Sequence, residues 1–124
     1  MKSKHLLLFL GILAAATGQS TSKAIVVNLD TAKWTHEKGA ADDSEGVMLR
    51  TDPATGGMDL LVQFPAGHVI PPHFHDSNEH IIVVEGQLTL RQDSGEVQRL
   101  SCSSKTRCTF YLSWDGKPES HPAK

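Results

Sequence analysis

His73, His75 and Glu79 are the residues of this chain best suited to metal chemistry. Two imidazoles and a carboxylate make a mixed nitrogen and oxygen ligand set of the kind first-row divalent metals accept. One residue separates His73 from His75, so on an extended backbone both rings project to one side while Phe74 points to the other. Asp76-Ser77-Asn78 reads as a polar turn, after which Glu79 can bring its carboxylate back toward the histidines. Iron, manganese, nickel, cobalt or zinc suit such a set better than calcium or magnesium, which prefer oxygen throughout. With positions left open, the metal could bind substrate or dioxygen, or polarise a substrate oxygen as a Lewis acid.

The surrounding pattern predicts strands to carry these ligands. Glu79 to Glu85 is the most strand-like run, with Glu79, Ile81 and Val83 on one face and His80, Ile82 and Val84 on the other. Both faces are largely apolar, so cover is expected on both sides, from a barrel interior and from another sheet or second subunit. Val47 to Arg50 and Met58 to Phe64 flank the turn signal TDPATGG and read as a hairpin. Pro71 and Pro72 cannot donate ladder hydrogen bonds, so His68 to His75 is expected to run as an extended edge or loop. Leu88 to Arg91 and Glu96 to Leu100 form a second hairpin pair, and Thr109 to Trp114 a last strand before a loose tail. Ala24 to Leu29 is a further short β-branched strand. Helical periodicity is absent after the N-terminal segment. The pattern is that of an all-β sandwich or small barrel.

Residues 1–18 read as a secretory signal peptide: Lys2 and Lys4, an apolar run from Leu6 to Ala16, then small residues for cleavage. Its removal takes two lysines and no acid, so the whole-chain charge of −2 becomes −4. A mildly acidic domain offers no footprint for nucleic acid and no polybasic cluster for an anionic membrane. Small molecules, metal ions or another protein remain as partners. The expected location is secreted or periplasmic, and the expected division is 19–45 as N-terminal strand and loop, 46–116 as the barrel and 117–124 as the tail. Cys102 and Cys108 are the only cysteines. Bonded, they would close a loop of about seven residues, worth about 2 kcal/mol in the chain-entropy model. The sequence leaves their state open, since strand geometry decides it.

The spacing around the ligands is more specific than the HxH pair alone. Gly67, five residues, His73, one residue, His75, three residues, Glu79, six residues and Gly86 match the first motif of the cupin family at every defined position. The chain resembles a small single-domain cupin with a secretion signal, over roughly residues 45–116 in layout and 67–86 in motif. The resemblance implies a jelly-roll β-barrel, a divalent transition metal (Fe, Mn, Ni or Zn) held inside it by His73, His75 and Glu79, and commonly a homodimer.

The second cupin motif, a Pro-x-Gly turn followed by a ligand histidine, has no full match after Gly86. One alignment puts Gly95 at the motif glycine, Gln98 at the histidine and Asp93 at the proline. Another, slightly preferred, takes GEVQRL as the strand before a missing motif. Either way the fourth ligand is absent from its expected place. His68 lies outside the HxH pair, His80 points away from Glu79 by strand parity, and His121 in the tail would have to fold back.

Three readings follow. The chain is a metal-dependent oxygenase or isomerase-like enzyme, a non-catalytic cupin that binds a small ligand, or a degenerate or truncated cupin without metal. No catalytic residue is named by the sequence. Ile81, Val83, Phe64 and Phe110 are the expected barrel lining, which makes the pocket apolar around a polar centre.

Overall fold

The computed structural model describes residues 23–36, 43–93 and 95–124, and the proposed signal segment lies outside them. Among the described residues the regular structure is entirely β. The strands are β1 (Thr35–His36), β2 (Glu45–Thr51), β3 (Gly56–Phe64), β4 (Val69–His75), β5 (Glu79–Glu85), β6 (Leu88–Gln92), β7 (Gln98–Cys102), β8 (Cys108–Gly116) and β9 (Ser120–Pro122). They form a five-stranded sheet in the order β1-β2-β3-β8-β5 and a four-stranded sheet in the order β6-β7-β4-β9. All pairs are antiparallel. The fold is an all-β jelly roll.

Turn chemistry sets the hairpins. Between β2 and β3 the Asp52 carboxylate accepts from the Ala54 amide (2.9 Å), while the Asp52 and Gly56 main chains close the turn at 2.7 Å. Gly56 there has φ +77°, a left-handed conformation that costs a side-chain-bearing residue about 1–2 kcal/mol. The β6–β7 turn closes with the Asp93 amide donating to the Val97 carbonyl (2.9 Å).

The sheets face each other across a core of Phe64, Leu100, Cys102, Cys108, Phe110, Leu112 and Trp114, with Met58, Leu60, Val62, Ile70, Ile81 and Leu88 packed against it. Phe64 and Phe110 meet edge to face at 4.9 Å, a favoured aromatic arrangement. Cys102 ends β7 and Cys108 begins β8, and the two are joined by a disulfide with a Cα separation of 5.8 Å. The bond ties the two sheets together inside the core.

The structure departs from the sequence expectations in three places and leaves a fourth expectation open. Ala24 to Leu29 is not a strand; the first ladder begins at Thr35. The segment with Pro71 and Pro72 is neither edge nor loop, because β4 runs between β7 and β9. Its pairing with β7 skips between Ile70 and His73, so the prolines fall at an irregularity where no ladder donor is needed. The tail is not loose: Ser120–Pro122 adds to β4. Finally, β5 pairs only with β8, and Ile82, Val83 and Val84 are 62%, 45% and 52% exposed. Among the described residues of the single chain no other sheet covers this face, which leaves the second-subunit alternative of the sequence reading untested.

Candidate metal centre

β4 presents His73 and His75, and β5 begins with Glu79. The His73 and His75 rings stand edge to face with centroids 4.9 Å apart, as expected for alternate residues of one strand. His73 Nδ1 lies 2.8 Å from the Pro71 carbonyl oxygen, and His75 Nδ1 lies 3.1 Å from that of Glu119. A carbonyl oxygen only accepts, so each Nδ1 carries the hydrogen, and in the neutral ring Nε2 keeps a bare lone pair. This is the orientation in which histidines ligate metals, with the second ring nitrogen anchored on the protein. His75 Nε2 is 3.8 Å from Glu79 Oε1, both side chains being about nine-tenths buried. His73 is 7% exposed.

By ligand type, tautomer and burial the three residues fit a divalent transition ion. Their ligand atoms do not all come within 4.8 Å of one another, so the three do not form a closed cluster. Among the described residues, the His/Asp/Glu trio whose ligand atoms all lie within 4.8 Å of one another is Asp76, Glu119 and His121. This trio lies where β9 meets the end of β4, with His121 Nε2 2.8 Å from Asp76 Oδ2. The sequence offers no signal for it beyond His121, because its members are spread over two distant segments.

The three histidines nearest the site in sequence or by folding back have other partners. His121 folds back, but it pairs with Phe74 in the ladder and stacks on that ring at 4.9 Å. It therefore shares the face of Phe74, opposite the His73 and His75 rings. His80 points away from Glu79 as strand parity requires, toward Asp115 Oδ1 at 3.1 Å. Hydrogen bonds from Asn78 and then His80 hold the Asp115 carboxyl below its usual range. His68 packs its ring against Phe64 at 4.4 Å, away from the pair.

Of the substitutes the sequence offers for a fourth ligand, Gln98 is the one the fold brings beside these residues. In the β4–β7 ladder Gln98 stands directly opposite His73, and its side-chain amide donates to Glu79 Oε2. The alignment placing Gln98 at the motif histidine therefore describes the site better than the slightly preferred one that left the motif missing. Where an imidazole would ligate, an amide instead holds the Glu79 carboxylate.

A cleft of about 400 Å³ opens at this end, lined by the run from His75 to Glu79 and by Leu90, Gln92, Glu96 and Gln98. Leu90 is its one aliphatic residue, so the apolar lining expected from strand parity is not found. Phe64 and Phe110 do point inward, but they fill the closed core. Trp114, missed in the sequence, stands opposite Glu79 in the β5–β8 ladder and meets the His75 ring at 5.7 Å. Its indole N–H is buried without a hydrogen-bond partner among the described residues.

Comparison with known proteins agrees with this architecture. The sequence model of the family described as the ChrR cupin-like domain matches residues 22–99, more than half of the chain. The crystal structure of Rhodobacter sphaeroides SigE in complex with the anti-sigma ChrR is similar at 17% identity, covering 71% of this chain and 51% of that one, with a TM-score of 0.55. The chain thus spans about half the length of that relative. An RmlC-like cupin from Ralstonia eutropha JMP134 is similar at 18% identity, with 76% and 69% coverage and a TM-score of 0.58. A proposed acetylacetone dioxygenase from Methylibium petroleiphilum PM1 is similar at 19% identity, with 86% and 85% coverage and a TM-score of 0.57. No curated protein matches. At such identities the structural likenesses show the fold alone, while the family match over residues 22–99 establishes that this chain belongs to the ChrR cupin-like domain family.

Proposed function

We propose that this cupin domain binds a divalent transition metal (iron, manganese, nickel or zinc) through His73, His75 and Glu79, and takes a small molecule in the adjoining cleft. The observation that carries the reading is the pair of Nδ1-to-carbonyl hydrogen bonds, which leaves both Nε2 lone pairs bare. When bound, such an ion supplies Lewis acidity and open coordination positions for a substrate oxygen or dioxygen. Oxygenase or isomerase-like activity is the catalytic form of this reading. His73 and His75 would ligate, Glu79 would add charge, and Gln98 would hold the second Glu79 oxygen.

Elemental analysis of purified protein tests the reading. Near-stoichiometric metal is expected, and His73→Ala with His75→Ala should abolish it while the β-rich circular dichroism spectrum persists. A folded wild-type protein that takes up no metal under titration would overturn it. A second reading, non-catalytic ligand binding, is favoured by one observation: Gln98 replaces the ligand histidine and occupies part of the carboxylate. It predicts ligand binding without turnover.

Two further parts of the proposal rest on separate observations. A secreted or periplasmic location is supported by the buried disulfide, because oxidising compartments are where such bonds persist. A homodimer built on β5 is supported by the exposed Ile82, Val83 and Val84 on a strand edge with one ladder partner. Sedimentation of wild type against Ile82→Lys reads the dimer directly.

A further inference from the structure

We propose that the partner of β5 is a second copy of this chain, which adds its residues 23–28 as a strand along the free edge. This deepens the homodimer proposed above and rests on its assignment of β5 as the interface. Among the described residues β5 has a ladder partner on one side, β8. Along its other edge the main-chain donors and acceptors meet no strand, and such an edge is a template for a further chain. Ile82 and Val84, 62% and 52% exposed, put β-branched side chains there.

The chain carries a segment of matching kind that has no ladder of its own. Residues 23–28 read Lys-Ala-Ile-Val-Val-Asn, a run rich in the residue types that favour strands, yet they belong to none of the strands. Ile25 is 59% exposed and Val26 89%. The downstream end of the segment is fixed. The Thr31 amide donates to the Asn28 carbonyl (3.2 Å) and the Asp30 amide to Asn28 Oδ1 (3.0 Å), while the Trp34 indole donates to the Leu29 carbonyl (3.4 Å). That turn ends the extended run at Asn28, so its length matches the stretch from His80 to Glu85.

Charge sets the direction of pairing. Antiparallel addition of residues 23–28 to residues 80–85 brings Lys23 beside Glu85 and Val26 opposite Ile82. Lys23 and Glu85 are both exposed, and the Thr109 hydroxyl steadies the Glu85 carboxylate from within its own copy (3.1 Å). Parallel addition would instead bring Lys23 to His80 and carry Asp30 toward Glu85. Opposite charges and β-branched residues facing one another stabilise a strand pair, and like charges oppose it. Exchanged reciprocally, the two additions close as a two-fold dimer in which each copy gives one strand and receives one.

Sedimentation and cross-linking test this. Wild type is expected to be a dimer, and Val26→Lys, a change outside β5, should weaken the dimer about tenfold because two-fold symmetry repeats each loss. Lys23→Glu and Glu85→Lys should each weaken it about fivefold and restore it when combined, a reversal that misfolding does not produce. For position, Val26→Cys protein is mixed with Ile82→Cys protein and mildly oxidised. Directly opposed residues stand close enough for a disulfide, so the expected product is the mixed pair, which forms only between two copies. A dimer that persists in Val26→Lys, or one that cross-links between like variants or not at all, overturns the inference and leaves the homodimer standing. A monomeric wild type overturns both.

Discussion

The two ends of this barrel are built from the same strands and do opposite things. β7 runs from Gln98 at the cleft to Cys102 at the disulfide, and β8 from Cys108 at the disulfide to Trp114 beside His75. At the stapled end Phe110 and Cys108 are fully buried and Cys102 and Phe64 nearly so. Main-chain bonds close over them, with the Gly67 amide on the Cys102 carbonyl (3.0 Å) and the Ser103 amide on the Gln87 carbonyl (2.9 Å). At the cleft end, bare imidazole nitrogens, clustered carboxylates and an orphaned indole N–H stand together. Each of those is costly in isolation. A small domain can hold such a site where its stability is concentrated elsewhere.

The two motif glycines carry the same contrast. Gly67 and Gly86 both have positive φ, at +78° and +81°. A Cβ on Gly67 would meet nothing within 4 Å, whereas one on Gly86 would lie 2.7 Å from the Arg107 carbonyl oxygen and 3.0 Å from the Cys108 Cα. Gly67 is therefore a matter of conformation, and Gly86 one of conformation plus close approach to the stapled loop.

Breaking the stapled end should produce the largest effect. Cys102→Ala with Cys108→Ala is expected to lower the unfolding free energy by about 2 kcal/mol, from the loop-closure term for a short loop. Chemical denaturation reads this, and the variant should still bind metal with unchanged stoichiometry at temperatures where it stays folded. Loss of metal binding by a folded double variant would show that the two ends are not separable.

That separation explains what could be read from the sequence and what could not. The β2–β3 and β6–β7 hairpins were legible because alternation and turn residues are local signals. His73, His75 and Glu79 could be named as candidates because strand parity and motif spacing are also local, and the fold brings His75 and Glu79 to 3.8 Å of each other. β9 was not, since Ser-His-Pro has no apolar pattern and becomes a strand only by pairing with β4. The prolines of β4 obscured an interior strand, because the bulge that excuses them exists only in the assembled sheet. The polarity of the cleft was misread for a related reason. Parity rightly turned Phe64 and Phe110 inward, but how far along the barrel the interior is filled depends on both sheets. Gln98 stayed ambiguous between two alignments until the ladder set it opposite His73.

A smaller effect sharpens the cleft end. Gln98→His places an imidazole opposite His73 and frees the Glu79 oxygen that the amide now holds. Metal affinity is expected to rise on the order of tenfold, about 1.4 kcal/mol, as read by competition with a chromophoric chelator. Stability of the metal-free protein should fall slightly, since a satisfied amide–carboxylate contact is lost. Unchanged metal affinity would mean that position 98 does not face the ion, and would weaken the three-ligand assignment with it.

The smallest expected effect concerns the outer surface of the cleft end. Arg50 of β2, Asp59 of β3 and Ser113 of β8 lie in register across the five-stranded sheet. Arg50 Nε and Ser113 Oγ both donate to the Asp59 carboxylate, each at 2.8 Å. The Arg50 hydrogen bond leads in holding the Asp59 carboxyl below its ordinary value, with Ser113 and Tyr111 adding to it and burial opposing. An unfolded aspartate titrates near pH 3.9, so this contribution is fully present above about that pH and is lost as pH falls through the lower folded value. Thermal unfolding of metal-free protein between about pH 5 and pH 3 should therefore lose more stability in wild type than in Asp59→Asn. Comparing the two proteins isolates the Asp59 contribution. Because the pair is largely exposed on its Arg50 side, the difference should be small and should shrink further with added salt. Equal acid sensitivity in the two proteins would remove Asp59 from the account and leave the cleft end dependent on β5 and the core alone.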